Sequence, residues 1–266
     1  MVITPSQVRE PATKSLQFGL QGIRWETFQK LMRDLSQDCG CQITYDQDNQ
    51  LLLISQHSQN GSNRVITLNT LTWETFEDLI ADVEGSRGWR FVYDNGVLEI
   101  RMPLQEHEEP KELLVDFITV LVDELGLEMR KLGSLTLKRE DLNRAIEPDS
   151  CCYIQNEALV RGKNSLDLSM LPPPDLAVES DHTNSSLNKF NIYAALGVPE
   201  LWLYRKQKIE VYLLTEKRYE LSDTSLALPL FPIKAAAALI EQNGTLGQRA
   251  IVRLFRAQIQ ELLKAR

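Results

Sequence analysis

The sequence predicts a mixed α/β fold of the α+β kind, a mixed β-sheet flanked by helices, with a duplicated helix-hairpin element near its N-terminus. Three observations lead there. Short β-rich runs separated by turn signals lie beside stretches of helical periodicity. One helical stretch, LNKFNIYAAL, lies between two apolar strands and reads as a crossover. And one pattern occurs twice: WETFQKLMRDLSQDCGCQITYD at 25–46 and WETFEDLIADVEGSRGWRFVYD at 73–94, offset by 48 residues.

Each copy reads as a helix, a strand, a turn and a second strand. The turns fall at Asp48-Asn49 and Asn95-Gly96, and Asn-Gly between alternating strands is a strong hairpin signal. Trp25 matches Trp73, Phe28 matches Phe76, and Leu31 matches Leu79. The next helix has Pro110 in its first turn, Glu108 and Glu109 at its positive end, an apolar stripe from Leu113 to Leu125, and Gly126 as its stop. LGSLTL and IEPDSCCYI read as strands, as do LAVES, LWLYR and IEVYLL. Ser185 or Ser186 is placed to cap the crossover helix, which closes at Gly197 and Pro199. The last segment, GQRAIVRLFRAQIQELLKAR, is an amphipathic helix with Arg249, Arg253 and Arg256 on its wet face.

With 266 residues, 43% of them hydrophobic, the chain has material for one sizeable core and an appendage. The division expected is 1–66, an extension holding the first helix-hairpin copy; 67–235, the main domain; and 236–266, a C-terminal helix. The N-terminus lacks the apolar run of a secretory signal. No stretch approaches the length of a membrane span; LLVDFITVLVDEL is interrupted by Asp116 and Asp123. A cytoplasmic location is expected. Cys39-Gly-Cys41 and Cys151-Cys152 do not have zinc-site spacing and read as reduced thiols, the adjacent pair pointing to opposite faces of a strand. The net charge of −8 excludes a protein whose whole surface grips nucleic acid, though not a local basic groove. Arg130, Lys131, Lys138, Arg139, Arg161 and Lys163 are candidates for such a groove, with a solvated face as the plainer reading.

The chemistry centres on PPPDLAVES. In an extended strand Asp175 and Glu179 face the same side. Glu179 ends an apolar run, where a carboxylate is costly unless paired or bound to a cation. Lys189, ten residues on, lies at a helix start where the dipole disfavours it. Asp149 precedes another apolar strand. If the two strands pair, Asp149 and Glu179 converge, and two carboxylates with few other ligands suit Mg²⁺. A nearby lysine can position or deprotonate a water, or stabilise charge on a phosphate. Each residue has a plainer reading: a turn acid after prolines for Asp175, an ion pair for Glu179, a strand-entry turn for Asp149, a solvated lysine for Lys189.

The segments LTWETFEDLIADV, RFVYDNGVLEIRMP, HEEPKELL, EPDSCCYI, PPPDLAVES and KFNIYAALGVPELWLY together resemble the Uma family of putative restriction endonucleases, a branch of the PD-(D/E)XK nuclease superfamily, from about Leu71 to Tyr219. The resemblance implies a restriction-endonuclease-like sheet and an Mg²⁺- or Mn²⁺-dependent endonuclease acting on DNA. It implies Asp149 and Glu179 as metal ligands and Lys189 as the catalytic lysine. Asp175 is a further candidate catalytic residue, expected at the rim, with His107 and Glu108 as accessories. The lysine is not two residues after Glu179, where Asp181 stands, but on the following helix. Two features depart from the family: residues 1–70 exceed its usual length, and Glu179 continues into the polar Ser-Asp-His. A homodimer is left open. The competing class is a catalytically inactive nuclease-fold module acting as a protein-binding or assembly partner.

Overall fold

The computed structural model of the chain describes residues 15–35, 40–57, 65–83, 88–102, 105–180 and 187–265, with residues 15–16 and 105–108 given by backbone alone. The chain divides into two compact units, 1–86 and 87–266. The helix beginning at Trp73 thus belongs with the first unit, and residues 236–266 belong with the second.

The first unit contains β1 (Ser15–Gln21), α1 (Trp25–Asp34), β2 (Cys41–Asp46), β3 (Leu51–His57), β4 (Val65–Leu68) and α2 (Trp73–Val83). Strands β1, β3 and β2 pair antiparallel in that order. Phe18, Leu20, Leu52 and Ile54 alternate onto a buried face, as a half-buried sheet requires. The two Trp-Glu-Thr-Phe helices are tied to each other. Lys30 Nζ reaches Glu74 at 2.5 Å and Asp78 at 2.6 Å, and Arg24 Nε reaches Asp82 at 2.5 Å. Asp34 accepts from the Thr72 N–H at 2.9 Å and from the Thr75 hydroxyl at 2.5 Å.

The second unit holds two sheets. One runs through β5 (Arg90–Asp94), β6 (Val97–Arg101), β8 (Leu137–Arg139) and β9 (Arg144–Ile146), hydrogen-bonded in the order β6-β5-β9-β8. The other has β7 (Arg130–Lys131), β10 (Ser150–Tyr153), β11 (Leu176–Ser180), β12 (Glu200–Arg205), β13 (Lys208–Thr215) and β14 (Arg218–Ser222), in the order β14-β13-β12-β11-β10-β7. Only β11 and β12 in this six-stranded sheet are parallel, because the helix between them returns the chain to the same end. Its helices are α3 (Gln105–Glu124), the short α4 (Glu157–Val160), α5 (Lys189–Ala195), α6 (Ile233–Glu241) and α7 (Gln248–Lys264). A mixed sheet flanked by helices is therefore what the chain forms.

Apolar residues divide between the two faces of the six-stranded sheet. Leu176, Val178, Cys152 and Trp202 pack with α3, α6 and α7, where Phe117 stacks on Phe255 at 4.2 Å. Ala177, Cys151 and Leu201 pack with Ile192, Tyr193 and Leu196 of α5 and with Val92, Leu137 and Ile146 of the other sheet. Cys151 and Cys152 thus point to opposite faces, and burial pushes the Cys151 thiol up to about 12. Phe117 and its neighbours explain why α7 does not stand apart. Arg249 pairs with Asp116 at 3.2 Å and Arg256 with Glu124 at 2.5 Å. Both arginines remain on the solvent-exposed side of α7, as expected, and there they pair with acids of α3.

Local signals account for much of this. Asn95 and Gly96 both take positive φ, 49° and 91°, which is the primed turn that a two-residue hairpin needs. Helix α3 ends in a Schellman motif: the Leu127 N–H bonds Val122 O, the Gly126 N–H bonds Asp123 O, and Gly126 has φ 63°. Gly197 closes α5 the same way, with Val198 N bonding Tyr193 O. Three expectations differ from what forms. Helix α3 starts at Gln105, so Pro110 stands in its second turn, where its missing N–H leaves one helical bond unmade. LGSLTL is mostly irregular, with β8 beginning only at Leu137. And IEPDSCCYI is two strands, because Pro148 cannot donate to a ladder. β9 ends at Ile146 in one sheet and β10 begins at Ser150 in the other.

Candidate active site

That break at Glu147-Pro148-Asp149 is where the site begins. In β11, Leu176 and Val178 face α3 and α7 while Ala177 faces α5. Alternation then sends Glu179 to the α5 side. Ser150 is registered against Val178 at the end of the β10–β11 ladder, and Asp149, one residue before it, accepts from the N–H of Ser180, the residue after Glu179. Helix α5 lies over that face. Its first residue, Lys189, places Nζ at 2.7 Å from Glu179 Oε2, with the side chains 11% and 3% exposed. One turn on, the Tyr193 hydroxyl donates to Glu179 Oε1 at 2.5 Å. The start of α5 is fixed twice. The Asn188 side chain caps it by accepting from Asn191 N. From β6 the buried Glu99 accepts the Leu187 N–H at 3.1 Å.

Asp149 is partly exposed. Its Oδ2 accepts from the Ser180 N–H at 2.7 Å and the Ser180 hydroxyl at 2.9 Å. Burial alone would raise its pKa. The charge of Lys189, the Ser180 N–H, the charge of Arg101 and the Ser180 hydroxyl together outweigh that and hold the carboxyl below the usual carboxylate range. Glu147 takes the other sign: burial lifts it, although the Thr136 hydroxyl and the Phe91 N–H bond its oxygens. Burial, with the Glu179 charge and hydrogen bond, holds the Tyr193 hydroxyl well above its ordinary range, so it acts as a neutral donor.

Asp149, Glu179 and Lys189 are brought together. Asp175 is not with them. It lies at the other end of β11, about 13 Å along the strand from Glu179 by the strand rise. It is 5% exposed and accepts from Ile154 N at 2.7 Å, Asn156 N at 3.0 Å and Asn156 Nδ2 at 2.5 Å. Its donors all come from the turn after β10. The side chains of His107 and Glu108, like residues 181–186 with Ser185, Ser186, Asp181 and His182, lie outside the described residues. Arg101, Tyr193, Ser180, Glu99 and Glu147 were not singled out from the sequence. A signal for two of them exists. Val97, Glu99 and Arg101 share one face of an otherwise apolar strand, the same anomaly that marks Glu179.

The family model described as "Putative restriction endonuclease", Uma2, matches residues 73–238, well over half of the chain. The chain belongs to the Uma2 family. Among solved structures, a crystal structure described as a putative nuclease from Anabaena variabilis ATCC 29413 is 18% identical. That match covers 62% of this chain and 90% of the other, with a TM-score of 0.39. None of the curated proteins compared with the chain matches it. No described helix is long and apolar enough to cross a membrane.

The basic residues of this Uma2-family chain are mostly committed to local structure. Arg130 donates to Val160 O and, at 2.8 Å, to Lys163 O. Arg161 pairs with Glu157 at 2.5 Å, Arg139 pairs with Asp141 at 2.6 Å, and Lys131 donates to Thr119. These contacts brace the 128–168 region.

Two predictions follow the geometry. Asp175→Asn replaces a buried acceptor of three N–H groups, and is expected to lower stability by about 1–3 kcal/mol in urea denaturation, leaving any response to Mn²⁺ intact. A lost response would place Asp175 in the metal site after all. For Asp149 the native pKa lies below the unfolded one, so the unfolded chain binds more protons. Its contribution is present above about pH 3.9 and is lost as pH falls through the lower native value. The stability gap between wild type and Asp149→Asn, measured in EDTA, is therefore expected to be wide at neutral pH and to close in strong acid. A gap that widens on acidification would contradict the assignment.

Proposed function

We propose that the chain is an Mg²⁺- or Mn²⁺-dependent endonuclease that hydrolyses phosphodiester bonds in DNA. The observation that carries this reading is a buried glutamate at a strand end, bonded to a lysine at 2.7 Å, with a second carboxylate, Asp149, hydrogen-bonded to the adjacent Ser180. Membership of the Uma2 family supports it.

The donor chemistry fits such an ion. Asp149 and Glu179 offer hard carboxylate oxygens. Asp149 Oδ1 takes no described hydrogen bond, and each Glu179 oxygen keeps a lone pair beyond the one it gives to Lys189 or Tyr193. Among the described residues no group of three or more His, Cys, Asp or Glu side chains could hold a metal. That disfavours a closed protein cage and suits Mg²⁺, which binds through one or two carboxylates and keeps waters and substrate oxygens. When bound, the ion would polarise a phosphoryl oxygen and make a bound water more acidic. Lys189 holds Glu179 in place and presents a cation to charge building on the phosphate. Tyr193 and Ser180 orient the two carboxylates as partners of a ligand shell do. Asp149, held ionised, is able to accept a proton from an attacking water.

One observation favours the other reading, a nuclease-fold module without activity. Both Glu179 oxygens already have donors, as in a purely structural ion pair. The two readings separate in a cleavage assay on single- and double-stranded DNA with Mg²⁺, Mn²⁺ or EDTA. Product formation that requires the metal supports the enzyme. Absence of cleavage under all conditions, together with a melting temperature indifferent to millimolar Mn²⁺, supports the structural pair.

A further inference from the structure

We propose that Arg101 is a phosphate-binding residue of this site, and that through it the site takes a divalent cation and a phosphate oxygen together. The proposal rests on the nuclease reading above and adds to it how the substrate is held.

Arg101 is the last residue of β6 and is 8% exposed. Its Nε and Nη2 are buried and donate to no group among the described residues. Those two atoms form one edge of the guanidinium, with parallel N–H groups that match two oxygens of a phosphate or carboxylate. A buried charged donor without an acceptor is strongly unfavourable, and such groups persist where a partner arrives. No described side chain supplies one here, although carboxylates are near. The Arg101 charge acts on Asp149, on Tyr193 and on Glu147. Arg101 also shares a face of β6 with Glu99, which holds the backbone just before Lys189. The open edge therefore belongs to the carboxylate cluster, not to a separate part of the fold.

Charge balance then couples cation and anion. Two cations, Lys189 and Arg101, stand beside Asp149 and Glu179, with Glu99 and Glu147 as further carboxylates nearby. The cations oppose the entry of Mg²⁺ alone. An arriving divalent ion adds positive charge next to them, and a phosphodiester oxygen both offsets that charge and satisfies the Arg101 edge. Each ligand should thus strengthen the other's binding.

This makes two effects of opposite sign. In Arg101→Gln, Mn²⁺ titrated calorimetrically into the DNA-free protein is expected to bind roughly three- to tenfold more tightly, because a like charge is gone. A short fluorescent duplex, read by anisotropy in Ca²⁺, is expected to bind on the order of tenfold to a hundredfold more weakly. Arg101→Lys keeps the charge but not the fork. It should leave Mn²⁺ affinity near wild type while losing most of the duplex affinity, and it carries the test if the glutamine variant does not fold. Glu179→Gln serves as the control for the site itself. If Mn²⁺ binding depends on Glu179 but both Arg101 variants hold the duplex as wild type does, Arg101 is only a buried structural cation and the proposal is overturned while the nuclease reading stands. If wild type binds Mn²⁺ no better than Glu179→Gln, the site reading and the proposal fall together.

Discussion

Lys189→Met is expected to destabilise the protein by about 3–5 kcal/mol, the loss seen when one partner of a buried ion pair is removed. Glu179 is left 3% exposed, with only the Tyr193 hydroxyl as a described donor. The sign is diagnostic. Lys189 is the first residue of α5, where the helix dipole disfavours a cation, so on helix grounds alone its removal would stabilise by a few tenths of a kcal/mol. A large loss therefore reports the pair. The double variant Glu179→Gln, Lys189→Met should recover much of the loss, because the orphaned charge is gone. A single-variant loss below about 1 kcal/mol, the range of exposed pairs, would show that water reaches Glu179 and that its burial does not shape its chemistry.

What the sequence revealed of this site, and what it concealed, follows from the range of the forces involved. Alternation along a strand is local, so Glu179 at the end of Leu-Ala-Val could be read as a buried anomaly, and the primed turn at Asn95-Gly96 could be placed to the residue. Convergence of Asp149 on Glu179 needed strand pairing, which the resemblance implied and spacing alone did not. Asp175 misled because even spacing fixes a face but not a position along it. Its three N–H donors come from the turn after β10, a tertiary fact. Pro148 was legible as a residue and not as a boundary, though it is what passes the chain from one sheet to the other. Arg101 was passed over because a basic residue at a strand end reads as solvated. Only packing shows its N–H groups buried. Arg249 and Arg256 lie on the exposed side of α7 as helical periodicity assigns, but their pairing with acids of α3 is a tertiary fact.

Glu179→Gln is expected to lower metal-dependent cleavage at least about 10²-fold, comparable to removing one group that stabilises charge in a transition state, while leaving the fold in place. The glutamine matches the volume of Glu179, and its carbonyl oxygen can still accept from Lys189 Nζ while its amide turns toward the Tyr193 oxygen. The stability change should therefore stay within about 1–3 kcal/mol, the value of a charge-assisted hydrogen bond, smaller than for Lys189→Met. The two variants thus differ in kind: one loses stability first, and the other loses chemistry in a protein that still melts cooperatively. Metal response gives the second readout. Stabilisation by Mn²⁺ should vanish in Glu179→Gln and persist in Asp175→Asn, since only the former removes a charged ligand from the Asp149 side of the strand pair. A Glu179→Gln protein that cleaves at the wild-type rate in Mg²⁺ would mean that the chemistry, if any, takes place elsewhere, and that the Glu179–Lys189 pair is a structural bond between β11 and α5.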